Sequence, residues 1–196
     1  MKENFSGNNA AMLLIDHQVG TMGWVRSISF DEMKTNTLVL AKAAKVLNMP
    51  VVLTSSMEEY AQGPLLNELE EILPEEFEAR IKRLGVVNAM DDENFSNAVK
   101  DTGRKKLIMA GVTTDVCIVY PALTALSEGY DVQVVVDACG SPTKLSDEMA
   151  LRRMEKAGVT LTSTNQLIAE LAQNWTTPEG SKLIEILMTD VFSKMQ

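Results

Sequence analysis

The stretch from Leu107 to Pro121, LIMAGVTTDVCIVYP, holds a thiol where covalent chemistry would want one. An apolar run breaks at Gly111, passes two threonines and an aspartate, and restarts with helical spacing that puts Cys117 in the first turn. The start of a helix carries partial positive charge and unpaired N–H groups, so a thiol there is expected to ionise more readily. The same N–H groups could hold an oxyanion after attack on a carbonyl. The competing reading is a cysteine packed quietly in an ordinary strand-to-helix connection, because free Cys is among the most buried residue types. Asp16 ends another apolar run, AMLLID, and offers a carboxylate. Such a group beside a thiol can take its proton and return it to a leaving group. Alone, Asp16 could equally cap the loop that follows. A carboxylate beside a thiolate also needs a cation within a few ångströms. Lys82 and Arg83 are the candidates, and on a regular strand only one of two neighbours can face the site. At this level either could be the one, and the other would be a solvated side chain.

These residues need elements to hold them. Apolar runs predict strands at Ala11 to Asp16, Val51 to Thr54, Lys106 to Ala110, Val132 to Val136 and Val159 to Thr162, with a poorly alternating one over Glu78 to Val87. Helical spacing covers Asp31 to Asn48, Leu65 to Ile72, Asp91 to Thr102, the stretch from the elbow to Glu128, Ser146 to Ala157 and Asn165 to Gln173. Residues 17–29 and Met57 to Gly63 read as loops. Asp91 and Asp92 are placed to cap the helix that Gly103 closes, and Gly158 to end another in the left-handed conformation. Strands alternating with helices predict a six-stranded parallel sheet in a three-layer α/β/α arrangement, Rossmann-like. Ligands of such sheets sit beyond the carboxyl ends of the strands, at the switch point. If the first and fourth strands are neighbours, as in a doubly wound order, Asp16 faces Cys117 across that crevice. Thr177 to Phe192 forms a last amphipathic helix beyond the sheet, opened by Thr–Pro, that packs either on its own domain or on a neighbouring subunit.

Composition narrows the function. A chain of 196 residues is expected to be one domain, residues 1–196 with 177–196 as a C-terminal helical extension. A net charge of −9 argues against nucleic acid, which needs a basic face. No run reaches the roughly 18 apolar residues of a membrane helix. Two distant cysteines and a polar start, MKENFSGNNA, fit a reducing compartment, so a cytoplasmic location is expected. A single histidine, His17, leaves little for zinc or for a Cys–His pair, and neither a metal nor another cofactor is expected.

LLIDHQ, KRLGVVNAMDDENF and LIMAGVTTDVCIVYPALTALSEGYDVQVVVDACGS, in that order, resemble the isochorismatase-like cysteine hydrolases. The resemblance extends to about Trp175. Within that superfamily it is strongest to the YcaC-like hydrolases of unassigned substrate, through DHQ, GPL, NAMDDENF and YPALTALSEG. It implies a triad of aspartate, basic residue and cysteine, here Asp16, Lys82 or Arg83, and Cys117. Counted back from NAM, Arg83 stands where relatives carry their basic residue, with Lys82 one step off. It also implies a cis peptide between Val112 and Thr113, aiming the N–H groups of Thr113 and Cys117 at an oxyanion. The nicotinamidase branch adds a metal held by an aspartate and histidines, which a chain with His17 alone does not supply. Met90 stands where relatives often have Trp, so a less aromatic pocket is expected, with Trp24, Met57, Asn88, Met90 and Tyr120 as candidate walls. Cys139 is expected to be structural and Asp137 to tie down a loop. The implied activity is cleavage of an amide-type C–N bond of a small molecule through a thioester. The alternatives are hydrolysis of another bond driven by Asp16, as in isochorismatase, and a non-catalytic redox-responsive thiol protein. A homo-oligomer is implied as well, with an octamer as one form.

Overall fold

The computed structural model describes residues 3–195. Strand β1 (Ala10–Ile15) is fully buried, as a central parallel strand covered on both faces must be. Helix α1 (Val19–Gly23) follows directly, so the expected loop over residues 17–29 holds a helical turn, closed by the Met22 N–H on the Gln18 carbonyl at 2.9 Å. Helix α2 (Phe30–Val46) starts at Ser29, whose hydroxyl accepts from the Glu32 N–H, and leads to β2 (Val51–Ser56). Two short helices, α3 (Asn67–Ile72) and α4 (Pro74–Glu78), precede β3 (Ile81–Arg83).

Strand β3 is much shorter than the expected Glu78 to Val87. Pro74 sets φ for a helix start and Glu75 and Glu76 suit its first turn, which takes the first expected strand residue into α4. Gly85, at φ 93°, turns the chain at the far end. A 3-10 turn over Ala89–Asp91 separates β3 from α5 (Glu93–Asp101). Asp92 alone is the cap, accepting from the Phe95 N–H at 3.0 Å; Asp91 lies in the preceding turn.

Strand β4 (Lys106–Gly111) enters a π-helical turn over Thr114–Ile118 that continues as α6 (Val119–Ser127). Then come β5 (Asp131–Val135), α7 (Lys144–Ala157) ending on Gly158 at φ 106°, β6 (Thr160–Thr162) and α8 (Thr164–Ala172). Helix α9 (Pro178–Asp190), capped by Thr177 through the Gly180 N–H at 3.0 Å, is followed by a last 3-10 turn over Phe192–Met195.

The six strands form one parallel sheet in the order β3-β2-β1-β4-β5-β6. Helices α2, α3, α8 and α9 pack together on one face, and α5, α6 and α7 lie on the other. The order reverses between β1 and β4, which pair from Ala10 with Lys106 to Ile15 with Gly111. That register brings the ends of β1 and β4 level, so the residue after Ile15 and the turn after Gly111 face each other. Gly111 is required there, because a Cβ would stand 2.2 Å from the Ile15 carbonyl oxygen. Helix α9 packs on its own chain: Leu183 and Leu187 are buried, and Lys42 of α2 pairs with Asp190 at 2.6 Å.

Candidate active site

Asp16 is the first residue past β1 and takes a left-handed backbone, φ 58°, that aspartate tolerates better than most residues. Its N–H is held by the Thr54 carbonyl at 2.9 Å, so the carboxyl is delivered from a pinned backbone. Both carboxylate oxygens accept from the Arg83 guanidinium at 2.5 Å. Arg83 is further fixed by Thr54 Oγ1 at 3.0 Å and the Val86 carbonyl at 2.6 Å. The side chains of Asp16 and Arg83 are each 1% exposed. Lys82 points the opposite way. It is 57% exposed and reaches Glu58 at 3.3 Å, as strand alternation demands of a neighbour of an inward residue. The open choice between the two cations is thereby resolved for Arg83, and Lys82 is removed from the site.

Cys117 sits in the π-helical turn and hydrogen-bonds the Asp16 carboxylate through its thiol. The Val112–Thr113 peptide is cis, and the Thr113 N–H reaches the Cys117 sulfur. The Cys117 N–H was expected to aim at an oxyanion beside it. It donates instead to the Thr113 carbonyl at 2.8 Å, because that carbonyl anchors the turn and also receives the Ile118 N–H at 3.2 Å.

The electrostatics reverse one expectation. Burial pushes the Cys117 thiol well above its ordinary range, and the neighbouring Asp16 charge and its hydrogen bond push the same way. The Thr113 N–H and the Arg83 charge pull down but are outweighed. The helix start therefore does not make this thiol acidic; at rest it is a neutral donor to Asp16. Burial also raises Asp16, while the Arg83 charge and the hydrogen bonds from Arg83 and Cys117 draw it down. The outcome is a carboxylate matched to one fixed guanidinium and poised to take one proton.

The three groups lie at the base of a cavity of about 410 Å³, within the size range of small-molecule sites. Trp24 and Met57 line it, as expected, together with Val86, Val87, Val116 and Pro142. Asn88, Met90 and Tyr120 do not. Asn88 braces the turn after β3, bonding Asp91 Oδ1 at 2.9 Å and Thr124 Oγ1 at 3.0 Å. Met90 is buried in the core. The Tyr120 ring lies under Arg153, 5.3 Å from the guanidinium carbon. The wider π turn sets Tyr120 off the face of Cys117 that α-helical spacing would have shared.

Gln18, Thr21, Ser56 and Asp115 also line the cavity and were not picked out from the sequence. Gln18 is clamped, donating to the Ser56 carbonyl at 2.9 Å and accepting from the Ser56 N–H at 2.8 Å. Polar residues just past the strand ends were the available signal, since ligands gather there.

Cys139 is buried, its thiol donating to the Val135 carbonyl at 3.2 Å. Asp137 accepts from the Thr164 N–H at 2.8 Å and hydroxyl at 2.7 Å, tying the end of β5 to the start of α8. Among the described residues no group of three or more His, Cys, Asp or Glu is placed to hold a metal ion. None of the described helices is long and apolar enough to cross a membrane.

A doubly wound parallel sheet here brings a carboxylate, a guanidinium and a thiol together at its switch point, an arrangement suited to nucleophilic chemistry on a small molecule. The chain belongs to the isochorismatase family, matching the Isochorismatase domain over residues 10–166. It is 44% identical over 168 residues to the Escherichia coli (strain K12) protein named "Probable hydrolase YcaC", covering 86% of this chain and 80% of that protein. The E. coli ycaC gene product, described as an octameric hydrolase of unknown specificity, superposes with a TM-score of 0.93 at 39% identity, over 100% of this chain and 94% of that one. YcaC from Pseudomonas aeruginosa, solved with hexane-2,5-diol and covalent acrylamide, gives 0.92 at 41% identity, over 100% and 95%. The protein is thus a YcaC-like hydrolase of the isochorismatase family.

Proposed function

We propose that this hydrolase cleaves an amide-type C–N bond of a small molecule through a thioester on Cys117. The observation that carries the reading is the Cys117 thiol hydrogen-bonded to a carboxylate that Arg83 holds in a fork. Asp16 takes the thiol proton as Sγ bonds to the carbonyl carbon, and the carbonyl oxygen becomes an oxyanion. The Thr113 N–H, which faces the sulfur at rest, is the donor this scheme assigns to that oxyanion. Collapse breaks the C–N bond, and the proton on Asp16 passes to the departing nitrogen. Water, its proton drawn by Asp16, then attacks the thioester and returns the acid product and the free thiol. Arg83 offsets the Asp16 charge throughout.

The high thiol pKa fits this scheme. Proton transfer and attack belong to one event, and the thiolate is not needed in advance. The covalent acrylamide in the P. aeruginosa relative supports a pocket open to small amide-bearing molecules. Isochorismatase-type cleavage by Asp16 alone would leave the thiol idle.

Turnover of a panel of small primary amides, quenched in acid and read by intact-protein mass spectrometry, is expected to show an acyl adduct on Cys117. Undiminished amide turnover by Cys117→Ala would end the reading. The octamer described for the E. coli relative supports a closed homo-oligomer here too. Exposed Leu84, Val87 and Tyr120 give it apolar surface to cover. Light scattering on the purified chain checks this, and a monomer at micromolar concentration would contradict it.

A further inference from the structure

The charges around the cavity are unevenly spent. The Arg83 guanidinium makes four hydrogen bonds, two to the oxygens of Asp16, one to Thr54 and one to Val86. Among the described residues lining the cavity it is the only cation, and its charge is matched by Asp16. Asp115 is different. It lines the same cavity, two residues before Cys117, and its Oδ1 is buried with no hydrogen-bond donor. A buried acceptor without a donor is costly, and a ligand that brings an N–H relieves it, whereas a ligand that brings a second carboxylate makes it worse. The remaining walls, Trp24, Met57, Val86, Val87, Val116 and Pro142, offer apolar surface.

We propose that Asp115 sets the substrate class: the site takes small, uncharged amides with an N–H to give and a short apolar group, and turns away carboxylates. The assignment rests on the Cys117 amide-hydrolase reading and narrows it. An unpaired acidic oxygen beside the nucleophile repels an anion at short range, where the apolar walls and limited water leave the repulsion little screened. Outside the triad, two buried acceptors on residues lining the cavity lack a partner, Asp115 Oδ1 and Thr21 Oγ1, and of the two only Asp115 brings negative charge to an amide N–H.

Alkylation of Cys117 tests the charge rule without knowledge of the substrate. Iodoacetamide and iodoacetate deliver the same carbon to sulfur and differ in carrying an amide or a carboxylate. Their rate ratio on the protein, divided by that on free glutathione, isolates the pocket's preference. The expected ratio favours iodoacetamide by about tenfold or more beyond glutathione, and Asp115→Asn lowers it several-fold. Asp115→Ser is the second variant, with near-ultraviolet circular dichroism confirming that each folds. A normalised ratio near one, or a ratio that both folded variants leave unchanged, overturns the assignment to Asp115. Absence of alkylation by either reagent, with Cys117→Ala as the blank, overturns instead the nucleophile on which the proposal rests.

Discussion

At the scale of single residues, Asp16 and Cys117 are coupled in a way that separates acidity from catalysis. The Asp16 charge is one reason the thiol sits high, so removing it lowers the thiol pKa. Asp16→Asn is therefore expected to bring the alkaline rise of Cys117 alkylation to lower pH while abolishing hydrolysis. A pH series with iodoacetamide, run beside an amide assay, checks both halves. Arg83 and Lys82 are expected to behave as opposites. Arg83→Met strands the Asp16 charge in the interior and should cost about 3–5 kcal/mol in urea unfolding. Lys82→Ala removes one exposed ion pair and should stay within about 0.5 kcal/mol.

His17 gives a pH dependence of its own. It is fully buried against the Ala138 carbonyl, 2.9 Å from Nε2, and burial pulls its pKa down to about 4. The unfolded chain therefore takes up a proton, as pH falls from the ordinary histidine range, that the folded chain refuses. Stability is complete above that range and is lost toward about pH 4, by roughly 3 kcal/mol. His17→Gln should flatten that loss between about pH 7 and pH 4.5, read from urea midpoints.

At the scale of elements, three short pieces carry the site. Strand β3 is three residues long; its alternation sets Lys82 and Arg83 on opposite sides, and its pairing with β2 decides that Arg83 is the one turned inward. Its brevity was hidden in the sequence because EARIKRLGVV mixes helix formers with branched residues, and the proline-started α4 and the Gly85 turn win at its two ends. The π-helical turn was equally hidden. TTDVCIVY is mostly β-branched and holds no strong helix former, and nothing in it signals the width of a turn; only the bonds of the Cys117 and Ile118 N–H groups to one carbonyl show it. The third piece is the meeting of β1 and β4 at Gly111. Gly111→Ala would drive a methyl against the Ile15 carbonyl, and the strand ends must part. A loss of about 1–3 kcal/mol is expected. A larger fractional loss of activity should accompany it, because Asp16 and Cys117 sit on the two sides of that contact; thermal melts and amide turnover on the same preparation check it.

At the scale of the molecule, the reversal of strand order does the assembling. Asp16 and Cys117 follow β1 and β4, Arg83 ends β3, and the first and last of the three are 101 residues apart in a chain of 196. One buried cluster extends from Phe5 to Leu187, so α9 is joined to the core that supports the sheet. Ending the chain after Trp175 removes the buried Leu183 and Leu187 and uncovers their partners on α2 and α8. Each buried leucine is worth about 1.5–3 kcal/mol. The truncated chain is expected to unfold at clearly lower denaturant, with a smaller dependence on denaturant concentration.

The sequence by itself determined the layers, the parallel sheet, and the candidacy of Asp16 and Cys117 as residues at strand ends. Those follow from apolar periodicity and from residue types at strand ends, which are local properties of the chain. Tertiary structure decided the rest. That Asp16 and Cys117 meet was decided by the pairing of β1 with β4. Whether Lys82 or Arg83 faces inward depends on the partner that strand β3 finds, because alternation fixes only that the two point apart. Whether Asn88, Met90 and Tyr120 reach the cavity depends on a brace, a core and an arginine that lie elsewhere in the chain. The thiol's acidity depended most on the fold. A helix start argues for a low pKa, but burial and a carboxylate from another strand argue more strongly against it, and both exist only once the sheet has closed around them.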